Sequence, residues 1–266
     1  MESLLLDRLS ALSHPKRMDV FRLLMRRCPD ALPAGEIATA LDLKPSTASV
    51  YLATLSQVGL IRQSRAGTSL LYDLDLSAAR SVVTDLFDDC CRGRPDMCPP
   101  MVTTPAKATY NVLFICTGNA ARSIIAEAIL RHLAPYRFNV YSAGTCAKSA
   151  PNPRAIAELE RQNIDVSNLY SKDLSQFRTP DAPQMDFVFT ICDRAANADH
   201  HLWPNHPICA HWGLPDPSRN GPTSFQSAFT AMWTRLQAFT SLKLDTFDRV
   251  TLQNHMDDIA RTSTIS

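Results

Sequence analysis

The chain has 266 residues, of which 45% are hydrophobic, and a net charge of +1 at neutral pH. That is the composition of a soluble globular protein, long enough for two ordinary domains with separate cores. No apolar run approaches a membrane span, and the first residues lack the basic-then-apolar order of a signal peptide, so the expected location is the cytoplasm with no membrane partner. In that reducing compartment the eight cysteines read as ligands or redox groups rather than structural disulfides.

Leu, Met, Val and Phe recur at helical spacing over residues 3–28, and His14-Pro15 divides the run into helices over 4–12 and 15–26. A turn through 29–33 leads to a brief helix at 34–40, a tight turn at 41–44 and a second helix at 45–57 that Pro45 opens. Short helix, tight turn and second helix outline a helix-turn-helix, whose second member lies in the major groove. Gly59-Leu60-Ile61-Arg62 begins a strand, Arg65 to Thr68 turns, and 69–74 alternates back, forming a wing. In this reading Ser46, Thr47, Ser49 and Tyr51 face bases or phosphates, and Arg62 and Arg65 reach the sugar-phosphate backbone. Residues 1–72 are only mildly basic, so specific binding needs a dimer on a two-fold operator.

The runs H-P-K-R-M-D-V-F-R-L-L, E-I-A-T-A-L-D-L-K-P-S-T-A-S-V-Y-L-A-T-L, G-L-I-R and R-A-G-T-S-L-L-Y resemble the ArsR-like winged-helix repressors over residues 3–98. Tyr51 stands where many such proteins have His. The resemblance implies operator DNA as partner and a homodimer through this domain. It also implies an inducer site: D-C-C-R-G-R-P-D-M-C resembles the branch that binds with an adjacent cysteine pair and a third cysteine, making Cys90, Cys91 and Cys98 ligands. Three thiolates with no nearby His suit pyramidal, thiophilic arsenite better than tetrahedral zinc.

Residues 99–109, rich in Pro and Thr and without periodicity, read as a linker between domains at 1–98 and 110–245, with 246–266 as a C-terminal tail. From Tyr110 the pattern becomes α/β: strands at 110–115, 138–142, 186–191 and near 208–210, helices at 123–133, 152–162 and about 224–243. This order implies a small doubly wound fold with a four-stranded parallel sheet, whose ligand sits beyond the strands' C-terminal ends.

Cys116 falls there, in V-L-F-I-C-T-G-N-A-A-R-S-I-I. A strand, a small-residue loop and a helix N-terminus turn successive backbone N–H groups toward one point, which suits a tetrahedral oxyanion. The amides of Thr117, Gly118, Asn119, Ala120 and Ala121 line this nest, and amides and helix dipole together favour a nucleophilic Cys116 thiolate. Arg122 offers two parallel donors to an oxyanion. Gly118 supplies positive φ or close approach, Asn119 ties the loop back on itself, and Ser123 donates to the sulfur.

The runs V-L-F-I-C-T-G-N-A-A-R-S, Y-S-A-G-T, N-P-R-A-I, V-F-T-I-C-D and H-W-G-L-P-D-P resemble the low-molecular-weight protein tyrosine phosphatase fold over about 110–240, and more closely its arsenate reductase branch. The resemblance implies Cys116 as nucleophile, Arg122 as oxyanion clamp, Asp216 as general acid and Cys192 as resolving cysteine. A further cysteine expected seven residues on is replaced by Asp199, so the three-cysteine relay is incomplete; Cys146 and Cys209 remain candidates. No tightly bound cofactor is implied, only a thioredoxin-like protein or small thiol as reductant. His200, His201 and His206 resemble a weak metal cluster, and the aromatic residue expected of tyrosine phosphatases after Asp216-Pro217 is missing. The combined expectation is a thiol-dependent arsenate reductase fused to a repressor whose inducer, arsenite, is the reductase's product. The alternative is a phosphatase-like hydrolase fused to a redox- or metal-responsive DNA-binding regulator.

Overall fold

A computed structural model describes residues 2–67, 69–91, 109–198, 203–219 and 223–261. The chain divides into two compact units, Met1–Met101 and Val102–Ser266. Cys98, Asp199, His200, His201 and residues 99–108 of the expected linker lie outside the described residues.

In the first unit, α1 (Glu2–Leu12) and α2 (Pro15–Arg27) are parted where His14 caps α2, its Nδ1 accepting from Lys16 N–H at 3.2 Å. Proline opens both α2 and α4, a position where the missing N–H has no partner to lose. β1 (Leu32–Pro33) precedes α3 (Ala34–Ala40), and a turn with Asp42 at φ 52° leads to α4 (Pro45–Gln57). The wing is β2 (Ile61–Ala66) and β3 (Ser69–Leu74), and α5 (Leu76–Asp85) follows, capped by Asp75, with a wide helical turn over Leu86–Cys90. The sheet runs β1-β3-β2, antiparallel, with Leu32 opposite Tyr72. Sequence reading takes 29–33 as a turn, because two residues of strand are too few for periodicity to register. Leu23, Leu24, Ile37, Leu52, Leu55, Leu60 and Leu74 form a core beneath the helix-turn-helix and wing.

The second unit alternates β4 (Tyr110–Cys116), α6 (Arg122–Leu133), β5 (Phe138–Gly144), α7 (Pro153–Arg161), β6 (Phe187–Thr190), α8 (Asp193–Ala198), β7 (Ile208–His211), α9 (Thr223–Ser241) and α10 (Arg249–Arg261). The four strands are parallel in the order β5-β4-β6-β7. Val112, Leu113, Phe114 and Ile115 are all fully buried, as a central parallel strand covered on both faces requires. Phe114, Phe189 and Trp212 stack through the core, Phe189 to Trp212 at 4.1 Å between ring centres, and Phe239 meets Phe189 edge-on. Strand order reverses beside β4, which puts the end of β4 at the switch point where such sheets bind ligands.

The stretch read as a tail, 246–266, is instead largely structured. Leu252, Met256 and Ile259 of α10 are buried in this core, and Trp212 Nε1 donates to Met256 O at 2.9 Å. Spacing by four and three places these side chains on one helical face, a signal diluted by the polar residues around them. The unit's core therefore extends past residue 245. α8 also escapes sequence reading, being too short to display a helical period.

Candidate active site

β4 delivers Cys116 to the switch point, and α6 begins six residues later with Arg122. Between them the chain turns at Asn119, which takes φ 41°. The left-handed position is thus Asn119 rather than Gly118, for which the sequence reading offers positive φ or close approach; Asn is among the few side chains that tolerate it. Ala121, preceding α6, provides no side-chain cap, so the helix's first N–H groups remain for an anion.

Donors converge on the sulfur. Asn119 N–H donates to Cys116 Sγ at 3.2 Å, and Ser123 Oγ lies 2.9 Å from it. Cys116, Asn119 and Ser123 are all buried. The Asn119 amide is oriented by its surroundings: its Oδ1 accepts from Lys172 N–H at 2.6 Å, which leaves Nδ2 to donate to Ser123 Oγ at 2.9 Å and Ser142 Oγ at 2.7 Å. Since Ser123 Oγ accepts from Asn119, its own hydrogen is left to point at the sulfur.

Behind the loop lies a charged network that sequence reading missed. Ser142 donates to Glu127 Oε2, Lys172 Nζ stands 3.1 Å from the same oxygen, and Arg131 Nη2 stands 2.5 Å from Oε1. Glu127 is fully buried and Lys172 nearly so. Burial pushes the Lys172 ammonium below its usual range and Arg131 adds to this, while Glu127 opposes both. The available signal was Glu127 itself, a lone acid inside the apolar run I-I-A-E-A-I-L.

Arg122 Nη1 donates to Leu214 O at 3.0 Å, and its Nη2 is 3.9 Å from Asp216 Oδ2, so the expected clamp and acid meet. Burial pushes the Asp216 carboxyl up, but hydrogen bonds from Ser218 N–H and Oγ, with the charges of Arg122 and Arg219, outweigh it and hold the group below the usual carboxylate range. Cys192, two residues past β6, is buried with its sulfur 3.4 Å from Thr117 Oγ1. The backbone after β5 lies against the same loop: Cys146 N–H donates to Thr117 O at 2.8 Å. Cys209 sits on β7, its sulfur directed to Pro207 O at 3.6 Å.

The sequence model of the family described as low molecular weight phosphotyrosine protein phosphatase matches residues 111–248, just over half of the chain. The chain belongs to that family. Membership makes the second unit an enzyme, and a buried sulfur held by Asn119 N–H and Ser123 Oγ fits the family's thiol-dependent chemistry. The chain is 33% identical over 131 residues to an arsenate reductase of Bacillus cereus (strain 03BB102), covering 49% of this chain and 94% of the relative. It is 38% identical over 115 residues to an arsenate reductase of Staphylococcus xylosus, covering 43% and 84%. A solved structure of an arsenate reductase in oxidized state is 27% identical over 48% of this chain and 95% of its own, with a TM-score of 0.42.

A helix-turn-helix domain model matches residues 12–64 of this family member, spanning α2 to β2. On α4, Ser46 and Ser49 are exposed and Thr47 half-buried; Ser49 Oγ donates to Pro45 O at 3.0 Å. Tyr51 is half-buried, its ring centre 5.0 Å from that of His14, so one face is committed to packing. On the wing Arg65 is exposed, whereas Arg62 is tied across the hairpin to Asp73 at 2.5 Å. Cys90 is exposed and Cys91 half-buried. Among the described residues no three His, Cys, Asp or Glu side chains are grouped to hold a metal ion, and no helix is long and apolar enough to cross a membrane.

Proposed function

We propose that the second unit reduces arsenate to arsenite and that the first is an ArsR-type, arsenite-responsive repressor that binds its operator as a homodimer in the cytoplasm. The observation that carries the enzymatic reading is the second buried thiol, Cys192, against Thr117 of the nest. A phosphatase needs only water after the first step; a reductase needs a thiol there. The arsenate reductases at 33% and 38% identity support the same choice. So does the sequence after Asp216-Pro217, where Ser218 and Arg219 offer no ring to stack on an aryl phosphate.

In this mechanism the nest amides of residues 117–121 and Arg122 hold arsenate while Cys116 sulfur attacks arsenic and hydroxide departs. The hydrogen bonds from Ser218 and the charges of Arg122 and Arg219 favour Asp216 as a carboxylate. It becomes a proton donor once the oxyanion engages Arg122 and brings its own negative charge alongside, both of which raise the carboxyl's proton affinity. Cys192 then attacks Cys116 sulfur. A Cys116–Cys192 disulfide forms, the sulfur–arsenic bond breaks with its electron pair passing to arsenic, and arsenite leaves. A thioredoxin-like dithiol or small thiol restores the enzyme.

The arsenite produced would bind Cys90, Cys91 and Cys98 and lower affinity for DNA, which requires that the DNA-bound and free states hold the ion differently. The deciding experiment compares arsenate and an aryl phosphate as substrates of wild-type and Cys116→Ser protein while following DNA release. Arsenite formation and DNA release that both vanish in the variant, yet return as release when arsenite is added, support the reading. Aryl phosphate hydrolysis without arsenite formation overturns the reductase in favour of the hydrolase.

A further inference from the structure

Three of the described cysteines gather around one residue of the nest, Thr117. Cys116 precedes it, Cys192 sulfur touches its hydroxyl at 3.4 Å, and the N–H of Cys146 donates to its carbonyl at 2.8 Å. Cys146 is held there by a strip of backbone laid along the loop: Thr145 N–H donates to Cys116 O at 3.1 Å and Lys148 N–H to Gly118 O at 2.9 Å. Gly144 makes the approach possible, since a Cβ on it would stand 2.8 Å from Thr117 O and 2.9 Å from Asn119 N. Cys116 and Cys192 are buried, but Cys146 is exposed. Because the sheet runs β5-β4-β6, Cys146 and Cys192 flank Cys116 from opposite sides.

That placement matters because thiol–disulfide exchange needs a particular sulfur to be reached from the side opposite the leaving one. A disulfide between two buried sulfurs is also a poor target for a protein reductant. Resting on the arsenate reductase reading, we infer that Cys146 is the exchange thiol that carries the oxidised pair to the surface. Its thiolate attacks Cys116 sulfur of the Cys116–Cys192 disulfide from the β5 side. The Cys116–Cys146 bond forms, the Cys116–Cys192 bond breaks, and Cys192 departs with the electron pair and takes a proton; no net oxidation occurs in this step. A dithiol protein reductant then attacks the exposed Cys146 sulfur, and Cys116 leaves as a thiolate into the donors that hold it. The reductant's second thiol closes its own disulfide and frees Cys146. Cys146 thus takes the role of the further cysteine for which this sequence has Asp199.

The test is one turnover of the full chain with arsenate and no reductant, followed by alkylation and peptide mapping. The expected product is a Cys116–Cys146 linkage with Cys192 alkylated. A Cys116–Cys192 linkage with Cys146 alkylated overturns the inference while leaving the reductase reading intact; absence of arsenite overturns that reading and this inference with it. In the steady state with a thioredoxin-type dithiol, Cys146→Ser should lose roughly tenfold or more of turnover and accumulate the Cys116–Cys192 disulfide. Turnover within about twofold of wild type overturns the assignment. Cys209→Ser, altering an exposed thiol on β7, is the control that should leave turnover unchanged.

Discussion

The loop from Cys116 to Ser123 and the start of the helix Pro45–Gln57 are both short polar stretches at helix N-termini, yet they treat their side chains in opposite ways. In the loop, Asn119 and Ser123 are buried and spend their hydrogen bonds on one another, on Ser142 and on the sulfur. On the helix, Ser46 and Ser49 are exposed, and Ser49 satisfies itself on its own helix at Pro45 O. A site that stabilises charge in a reaction is finished before its substrate arrives. A surface that meets DNA keeps its side chains outward, with partners that a phosphate or base must replace.

The sharpest way to break that contrast is Cys116→Ser, which should lower arsenate reduction by about 10⁴-fold or more without altering DNA binding. A change in both would mean that the sulfur also supports the first unit. Next in size is Glu127→Ala, which strands a buried ammonium at Lys172 and should cost about 3–5 kcal/mol in urea unfolding. A loss near that of an exposed ion pair would show that the loop is not braced from behind. Arg122→Lys keeps the charge but loses the two-pronged donor, and kcat should fall about 10²-fold to 10³-fold.

On the first unit, Arg65→Ala should reduce the salt dependence of binding to random duplex DNA by about one charge. Arg62→Ala should reduce it less, because Asp73 already neutralises that guanidinium; equal effects would remove the distinction drawn between them. The smallest effect concerns Asp216, whose carboxyl is held below its usual range. A depressed acid stabilises the fold above its unfolded pKa, and the contribution is lost as pH falls through the folded value. The difference in melting temperature between wild type and Asp216→Asn should therefore shrink as pH is lowered through and below the ordinary carboxylate range. A constant difference would mean that the Ser218 and arginine contacts act without regard to charge.

Sequence made the nest legible because its chemistry is local: Cys116, Arg122 and Ser123 fall within eight consecutive positions, and the strand-loop-helix geometry follows from their neighbours. Asp216 and Cys192 came through resemblance, and the structure brings both to the loop. Lys172 and Ser142 were not legible, since each reaches Glu127 only through the pairing of β4 with β5 and the strip of chain after α7. Cys146 could not be ranked against Cys209 for a similar reason. Both are exposed, and only strand order sets one beside Thr117 and the other on β7. In the first unit the elements were legible from Pro15, Pro45 and the leucine spacing, whereas the inward face of Tyr51 depended on His14, far away in the chain.

The last helix ties the end of the chain to the chemistry at its middle. Met256 O receives the Trp212 indole, and Arg235 spans from Trp212 O at 2.9 Å to Ala260 O at 3.0 Å. Trp212 in turn rests on Phe189, three positions ahead of Cys192. Cutting the gene after residue 245 to obtain a minimal enzyme would pull out a keystone, so a productive dissection of the two halves should keep everything through Arg261.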